Sequence, residues 1–588
     1  MMQRWTASWV WLLVGVAGAC SSSVDNASDG APRGSSNAAG GSSATGDTPN
    51  SSSGGSGGSG GLPPEKEEST TYRAPVVSGR WVWTANPATG KVAVVDAKNF
   101  TVRLSDAGLA PTYLTGLPSL AGKSRALVIN TGSHDASLLS AGDTGDVTAV
   151  QGIPLQPDAN AWSVSKNGKF ALAWTDAQAI AMHDPTQGYQ DVTVVDLRTA
   201  SPISTRLTVG FLPSRVFIND AETKAFIVAS SGISVIDLAS AAGPSVLKEE
   251  AVSKMVPDDP TARDVSVLPD GSYAFVRHEG SPVITLLELE SGTLSDVTLP
   301  GAVTDLDLVP NAHSVLAVVR GQPVVPPNGD AGAPGEAGAT GDAGAAAVTN
   351  GGAAGETAAG GSGGTAPVTQ STLAILPIPG IFTAPDSFVS VSVPELFGLV
   401  NIAPQGTEAL LYTNAVPNSH LTVLQTATGG MDYLLHRTLD LHGLVKEVFP
   451  SSDGAYAIAA LGPTQAGKNS AFAAVSVEKL LPPRIQTTEA PVFAVAQSDG
   501  DSPRAIVTVS DDNAVFAAYV VRMPELVIDR VQLPSRPLLG GTGIVPEAGV
   551  AYIAESHPTG RITFIDLETG VPRTITGFEI AAKVVNGN

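Results

Sequence analysis

One short phrase recurs along this chain and fixes what it can build. It reads KVAVVDAKNF at Lys91–Phe100, DVTVVDLRTA at Asp191–Ala200, GISVIDLASA at Gly232–Ala241 and RITFIDLETG at Arg561–Gly570. PVITLLELES at Pro282–Ser291 is a looser copy, with Glu288 where the others carry Asp. Val, Ile and Thr are stiff at χ1 and fit a pleated strand better than a helix. The Asp and the small polar residues after it can bond local backbone and turn the chain into another strand. A unit returning every forty to fifty residues or so is the mark of stacked β modules, and propeller blades have this size.

A second phrase lies upstream of these strands: KFALAWTD at Lys169–Asp176, KAFIVASS at Lys224–Ser231, SYAFVRHE at Ser272–Glu279 and SVLAVVRG at Ser314–Gly321. EALLYTNA at Glu408–Ala415, AYAIAALG at Ala455–Gly462 and VAYIAESH at Val550–His557 continue it. Turn signals precede most copies, such as Asn167-Gly168, Pro269-Asp270-Gly271 and Asp453-Gly454. Before each turn stands another apolar run, such as Ala262–Leu268 or Val303–Val309, and a fourth follows the Asp-Leu strand, such as Ile203–Val209. The module is therefore a four-stranded antiparallel meander, and no window sustains helical periodicity. The expected fold is all-β: a β-propeller of about seven to ten such blades over 72–588. The first module is expected to lack its first strand, and the tail Gly577–Val585 to close the ring.

Residues 1–19 carry one early positive charge at Arg4, an apolar run Trp9–Val16 and small residues before Cys20. The run is too short to span a bilayer, so it reads as a secretory signal. Ala17-Gly18-Ala19-Cys20 resembles the bacterial lipobox, with Ala17 where Leu is typical. That resemblance implies cleavage before Cys20, diacylglycerol on its sulfur, and an acylated new N-terminus. Cys20 is the single cysteine of the chain, so no internal disulfide can form. Ser21 resembles the residue found there in lipoproteins sent to the outer membrane. Residues 20–71 continue as a Ser/Gly-rich stretch with too little apolar surface to fold, a flexible tether reaching roughly 35–40 Å.

Trp81–Val102 (WVWTANPATGKVAVVDAKNFTV) and Ala551–Gly570 resemble the YVTN-type propeller repeats of bacterial and archaeal surface proteins. In that pattern an aromatic-Val-x-Asn strand leads into x-Val-x-Val-Ile-Asp. The resemblance is clear in three or four modules and faint within Glu395–Ser535. It implies the fold and says little about activity, because the family is functionally mixed.

The propeller is interrupted at 321–370 by a Pro-, Gly- and Ala-rich insertion with glycine at 329, 332, 335, 338, 341 and 344. A collagen axis needs that spacing, but the run is short and holds one Pro, so it reads as a disordered surface insertion rather than a trimerisation element. The net charge of −22 and the lack of a Lys/Arg cluster argue against nucleic-acid binding. No nucleophile elbow, phosphate-binding loop, dinucleotide fingerprint or zinc-protease motif is present.

Histidine offers the candidate chemistry. The module phasing puts His134, His183, His278, His420 and His557 in the connections between second and third strands, which a propeller gathers on one face. Imidazoles converging there with Asp135, Asp176, Asp184 or Glu279 could hold a divalent metal, although loops are also where polar residues ordinarily stand. His436 and His442 lack ligand spacing. Ser498–Asp501 and Asp511-Asp512 suggest calcium loops but read as turns, without the calcium-loop spacing. Trp81, Trp83, Trp162 and Trp174 could form a ligand platform and are expected instead to pack between blades. No cofactor is expected. The functional expectation is a lipid-anchored binding or scaffold module at the bacterial envelope, with an envelope protein or glycan as partner. The alternative is a metal-dependent hydrolase or lactonase working in the central funnel.

Overall fold

A computed structural model describes residues 71–180, 186–254, 259–309, 314–320, 371–403, 408–425, 436–464, 469–479, 481–498, 503–511, 515–523 and 525–578. The signal, Cys20, nearly all of the tether, His183, Asp184 and the insertion 321–370 lie outside them.

Among the described residues, forty strands form ten antiparallel four-stranded sheets, each from four strands consecutive in sequence. The blades, numbered 1 to 10, span 76–106, 111–154, 161–208, 215–250, 263–298, 303–393, 399–440, 444–488, 492–532 and 537–576. Every copy of the recurring Asp phrase is a third strand, as at Asp191–Asp196 and Arg561–Asp566. Its β-branched residues are buried on both faces, and the Leu after the acid (Leu197, Leu238, Leu567) is buried too. The Asp does the turning: Asp96 Oδ1 accepts from Lys98 N at 2.9 Å, Asp237 Oδ1 from Ala239 N at 2.8 Å, and Asp566 Oδ1 from Thr569 N at 2.7 Å. At Asp566 those backbone bonds hold the carboxyl below its ordinary value. Gly168 (φ 67) and Gly271 (φ 75) take the left-handed conformation their first-to-second-strand turns require.

Second and third strands are buried almost throughout, whereas fourth strands such as Ile203–Thr208 alternate toward solvent. First strands of several neighbouring blades touch one another, as between blades 1 and 2, 6 and 7, and 9 and 10. Between blades the apolar side chains gather into ten clusters among the described residues, one per interface: 1–2, 2–3 and so on to 9–10 and 10–1. The core is therefore divided among interfaces instead of growing as one mass, which is how a chain of this length escapes the size limit on a single core. The tryptophans belong to these interfaces: Trp81, Trp83 and Trp174 are buried, and Trp162 packs against the blade 2–3 cluster.

Closure differs from the expectation. Blade 1 possesses its own first strand, Val76–Ser78, paired with Trp81–Trp83, and among the described residues none of its four strands comes from the C-terminus. Blade 10 packs sideways on blade 1 through Val545, Tyr552 and Phe564 against Val82, Ala93 and Val95. Tyr72 and Phe578 meet edge to face at 5.1 Å within the same cluster, and Tyr552 Oη donates to Pro75 O at 3.4 Å. The tail contributes one buried ring at Phe578; residues 579–588 lie outside the described set.

Candidate functional site: the loop face and the blade 2–3 cleft

In an antiparallel meander the second-to-third connections leave from the same end as the links between blades. The other two turns of each blade leave from the opposite end. The first end carries the histidines as the phasing predicted. His134 (φ 53) lies between the second and third strands of blade 2, and His278 ends the second strand of blade 5. His420 begins the third strand of blade 7, and His557 follows the second strand of blade 10. The insertion 321–370 also joins a second strand (Ser314–Val319) to a third (Ser371–Pro377), so both of its attachment points sit at this end.

Placement on one face is not convergence. His420 Nδ1 shares a 3.0 Å hydrogen bond with Asn418 Oδ1, and His557 Nδ1 accepts from Thr559 N at 3.3 Å, each within its own turn. Among the described residues no three His, Cys, Asp or Glu side chains stand close enough to hold a metal ion. His442 pairs with Asp440 at 3.1 Å on the surface, and His436 opens the fourth strand of blade 7. Of the suspected calcium loops, Asp511 accepts from Val515 N at 2.9 Å as a turn residue, while Asp499–Asp501 and Asp512 lie outside the described residues.

What this face does contain is a cleft of about 220 Å³ where blades 2 and 3 meet. The second-to-third connection of blade 2 supplies Asn130, Thr131 and His134, and the link to blade 3 supplies Leu155, Gln156, Asp158, Ala159 and Asn160. Tyr113 and Ile180 complete the rim. Most polar groups here are committed to the scaffold. Gln156 Nε2 donates to Ala173 O at 2.9 Å and its Oε1 accepts from Thr193 Oγ1 at 2.5 Å. Asn160 holds both backbone groups of Asp176, at 2.6 and 2.8 Å. Asn130 is different. Its side chain turns from the cleft to the blade 1 side of the sheet, against Gly108, where Nδ2 donates to Asp135 Oδ1 at 2.7 Å and Ser137 Oγ at 3.0 Å and Oδ1 is buried without a hydrogen-bond partner.

The channel wall holds a second set of polar groups. Asp305 and Asp307 stand two apart on the first strand of blade 6 (Val303–Leu308). Each reaches the unpaired edge of the first strand of blade 7: Asp305 Oδ2 accepts from Val400 N at 2.8 Å and Asp307 Oδ2 from Ile402 N at 3.2 Å. Asn401 continues the device by donating to Val448 O at 2.8 Å in blade 8. Side chains thus satisfy inner-edge backbone groups that would otherwise be left open. Burial pushes both carboxyls up. Asp307 reaches about 7, with the neighbouring Asp305 charge adding to burial, while Asp305 is tempered by its N–H donors and by Arg277. On the opposite face Glu222 clasps the blade 3 turn, accepting from Asn167 N at 2.8 Å and pairing with Lys169 at 3.0 Å. Burial pushes that carboxyl up, but its bonds to Ser165, Lys169 and Asn167 outweigh it and leave it below the ordinary value.

Sequence reasoning did not single out Asn130, Asp158, Tyr113 or the Asp305–Asp307 pair. The pair carried a signal: two acids on one side of an otherwise apolar strand, in VTDLDLV. The cleft carried none, because its walls come from different blades.

No protein-family model matches the chain, and no curated protein matches it in sequence. Solved structures are similar in shape. A eukaryotic initiation factor aligns at 11% identity and TM-score 0.44, covering 75% of this chain and 93% of that one. Dihydro-heme d1 dehydrogenase NirN aligns at 11% identity and TM-score 0.38, covering 77% and 75%. Apo AztD from Citrobacter koseri aligns at 12% identity and TM-score 0.34, covering 66% and 92%. At these identities the likeness concerns fold alone.

Proposed function

We propose that this chain is a lipid-anchored, extracytoplasmic β-propeller that binds a protein or glycan partner at the bacterial envelope. The carrying observation is the build of one end of the ring. There the second-to-third connections of ten blades meet the blade links, a cleft opens, and both attachments of the 321–370 insertion emerge. A broad rigid platform with variable loops is suited to recognition, since the blades hold the loops while the loops vary freely. The lipobox-like Ala17–Cys20 and the Ser/Gly-rich stretch to residue 71 support a tethered, envelope-facing setting, with the outer membrane as destination. Propellers serve many functions, so the loop face, not the fold, supports this reading.

The test is made in living Gram-negative cells. A photo-crosslinking residue placed at Val416 or Pro558, on the loop face, should yield the same discrete adduct, and one at Ala200, on the opposite face, should not. Cys20→Ala should abolish palmitate labelling and release the protein from membranes. Equal adducts from both faces, or membrane retention without Cys20, would refute the respective half of the proposal.

A further inference from the structure

We infer that the loop face meets a lipid surface at the blade 10–1 seam, where Leu539 and Leu109 enter the apolar edge of the bilayer on either side of the tether's root. The inference rests on the lipid anchor of the preceding proposal and deepens it by giving the anchored chain a second membrane contact. The first observation is where the described chain starts. Thr71 Oγ1 donates to Asn86 Oδ1 at 2.9 Å, Arg73 N donates to Ala85 O at 2.9 Å, and Thr84 Oγ1 donates to Arg73 O at 2.6 Å. Tyr72 is buried against Phe578 and beside Gly560. Asn86 closes the second strand of blade 1, and Gly560 precedes the third strand of blade 10, so this root is tied to the loop face. Residues 21–70 are all that separate it from Cys20.

The second observation is what flanks the root. Leu539, 82% exposed, and Leu109, 65% exposed, are the two most exposed large apolar side chains among the described residues. Leu539 stands in the bulge of blade 10's first strand, between Pro537 and Thr542. Its neighbour Gly540 lies against Ala74, whose Cβ is 3.6 Å from where a Cβ on Gly540 would be. On the other side Gly90 N donates to Asn86 O at 3.1 Å and Ala107 N to Gly90 O at 3.0 Å, which brings Leu109 in the blade 1–2 link beside the root. A continuous line of backbone therefore runs from Leu539 through the root to Leu109. Hydrated leucines gain by leaving water, and the anchor keeps this line within reach of lipid. Charge does not supply the attraction. Lys91 is paired with Asp106 at 2.6 Å, and Arg73 is one exposed cation on a chain of net charge −22. The surface that fits is thus a zwitterionic one, held by apolar burial instead of by anionic headgroups.

The experiment floats residues 21–588, which carry no acyl chain, with vesicles of phosphatidylcholine and phosphatidylethanolamine. It is repeated with about 30% phosphatidylglycerol and in about 0.5 M salt. The expected result is half-maximal flotation near about 1 mM lipid, unchanged by salt and not increased by phosphatidylglycerol. A contact this weak does not hold an unanchored chain in washed membranes, but beside a tethered chain the lipid is at high effective concentration. Leu109→Asp combined with Leu539→Asp should weaken flotation at least tenfold. Val571→Asp, at a 62% exposed site in a third-to-fourth-strand turn on the opposite face, should leave it unchanged. An unchanged circular dichroism spectrum and melting temperature would show that the fold is intact. Absence of flotation at about 10 mM lipid overturns the inference, as does binding that requires phosphatidylglycerol and disappears in salt. Flotation unaffected by the leucine pair, or weakened as much by Val571→Asp, overturns the location. Failed flotation beside intact palmitate labelling and an intact loop-face crosslink would remove this inference and leave the anchored binding platform standing. Flotation beside a missing palmitate label would strike the anchor alone.

Discussion

Asp307→Asn tests the channel wall most sharply. The carboxyl of Asp307 is pushed from 3.8 to about 7, by burial first and then by the charge on Asp305. A group whose folded value is raised stabilises the fold when protonated. Its contribution is complete below about pH 4 and is lost as the pH rises through about 7. The gap between 3.8 and about 7 corresponds to at most about 4 kcal/mol. Between about pH 5 and about pH 8 the ceiling is about 2.5 kcal/mol, and water in the channel lowers the expectation to roughly 1–2 kcal/mol. Asparagine keeps a carbonyl acceptor for Ile402 N–H but cannot ionise. The variant's stability relative to wild type should therefore rise by about 1–2 kcal/mol between about pH 5 and about pH 8. Equilibrium urea denaturation followed by fluorescence of the buried Trp81, Trp83 and Trp174 reads this directly. Asp305, Asp264 and Arg277 also face this region, so the decisive quantity is the difference between the two proteins at each pH. If both show the same pH dependence, or the variant loses ground to the wild type as the pH rises, the assigned burial cost is wrong.

Phe578→Ala should destabilise the ring by about 3–4 kcal/mol, because it empties a buried site at the blade 10–1 interface; a urea midpoint equal to wild type would remove the tail from closure. Gly271→Ala forces a Cβ into a left-handed turn 2.6 Å from the Phe226 ring, and a loss of at least about 2 kcal/mol is expected in the same assay. Metal content of residues 21–588, purified without chelator or immobilised nickel, should be substoichiometric by mass spectrometry. About one tightly held divalent ion, lost in His278→Ala, would instead support the funnel hydrolase.

The blades were legible because the signal repeats. An Asp followed by an apolar residue at the end of four third strands performs a local task, capping a turn and filling an interface, so the residues at 96–97, 196–197, 237–238 and 566–567 carry the pattern by themselves. Blades 7 to 9 carry it faintly: their third strands, His420–Gln425, Ser470–Ser476 and Phe516–Arg522, end without that acid. Alternation and turn signals still located them. The first strand of blade 1 was missed because Val76–Ser78 is three residues long, too short to show a period. Among the candidate residues, the phasing placed His134, His278, His420 and His557 at one end correctly. It could not say whether they meet, since distance around a ring depends on how many blades intervene. The cleft was illegible for a related reason. Tyr113, Asn130 and Asp158 become neighbours through the packing of blade 2 on blade 3, and a conserved local spacing is not needed for that.

The described residues build a single closed ring of ten blades whose second-to-third connections share one face. Electron microscopy of residues 21–588 viewed down the ring axis tests it most directly. Class averages with ten evenly spaced spokes and no gap between first and last would agree with the ten interface clusters. A ring of fewer spokes with detached density beside it, or an open arc gapped between blades 10 and 1, would contradict the closure through Tyr72, Tyr552 and Phe578.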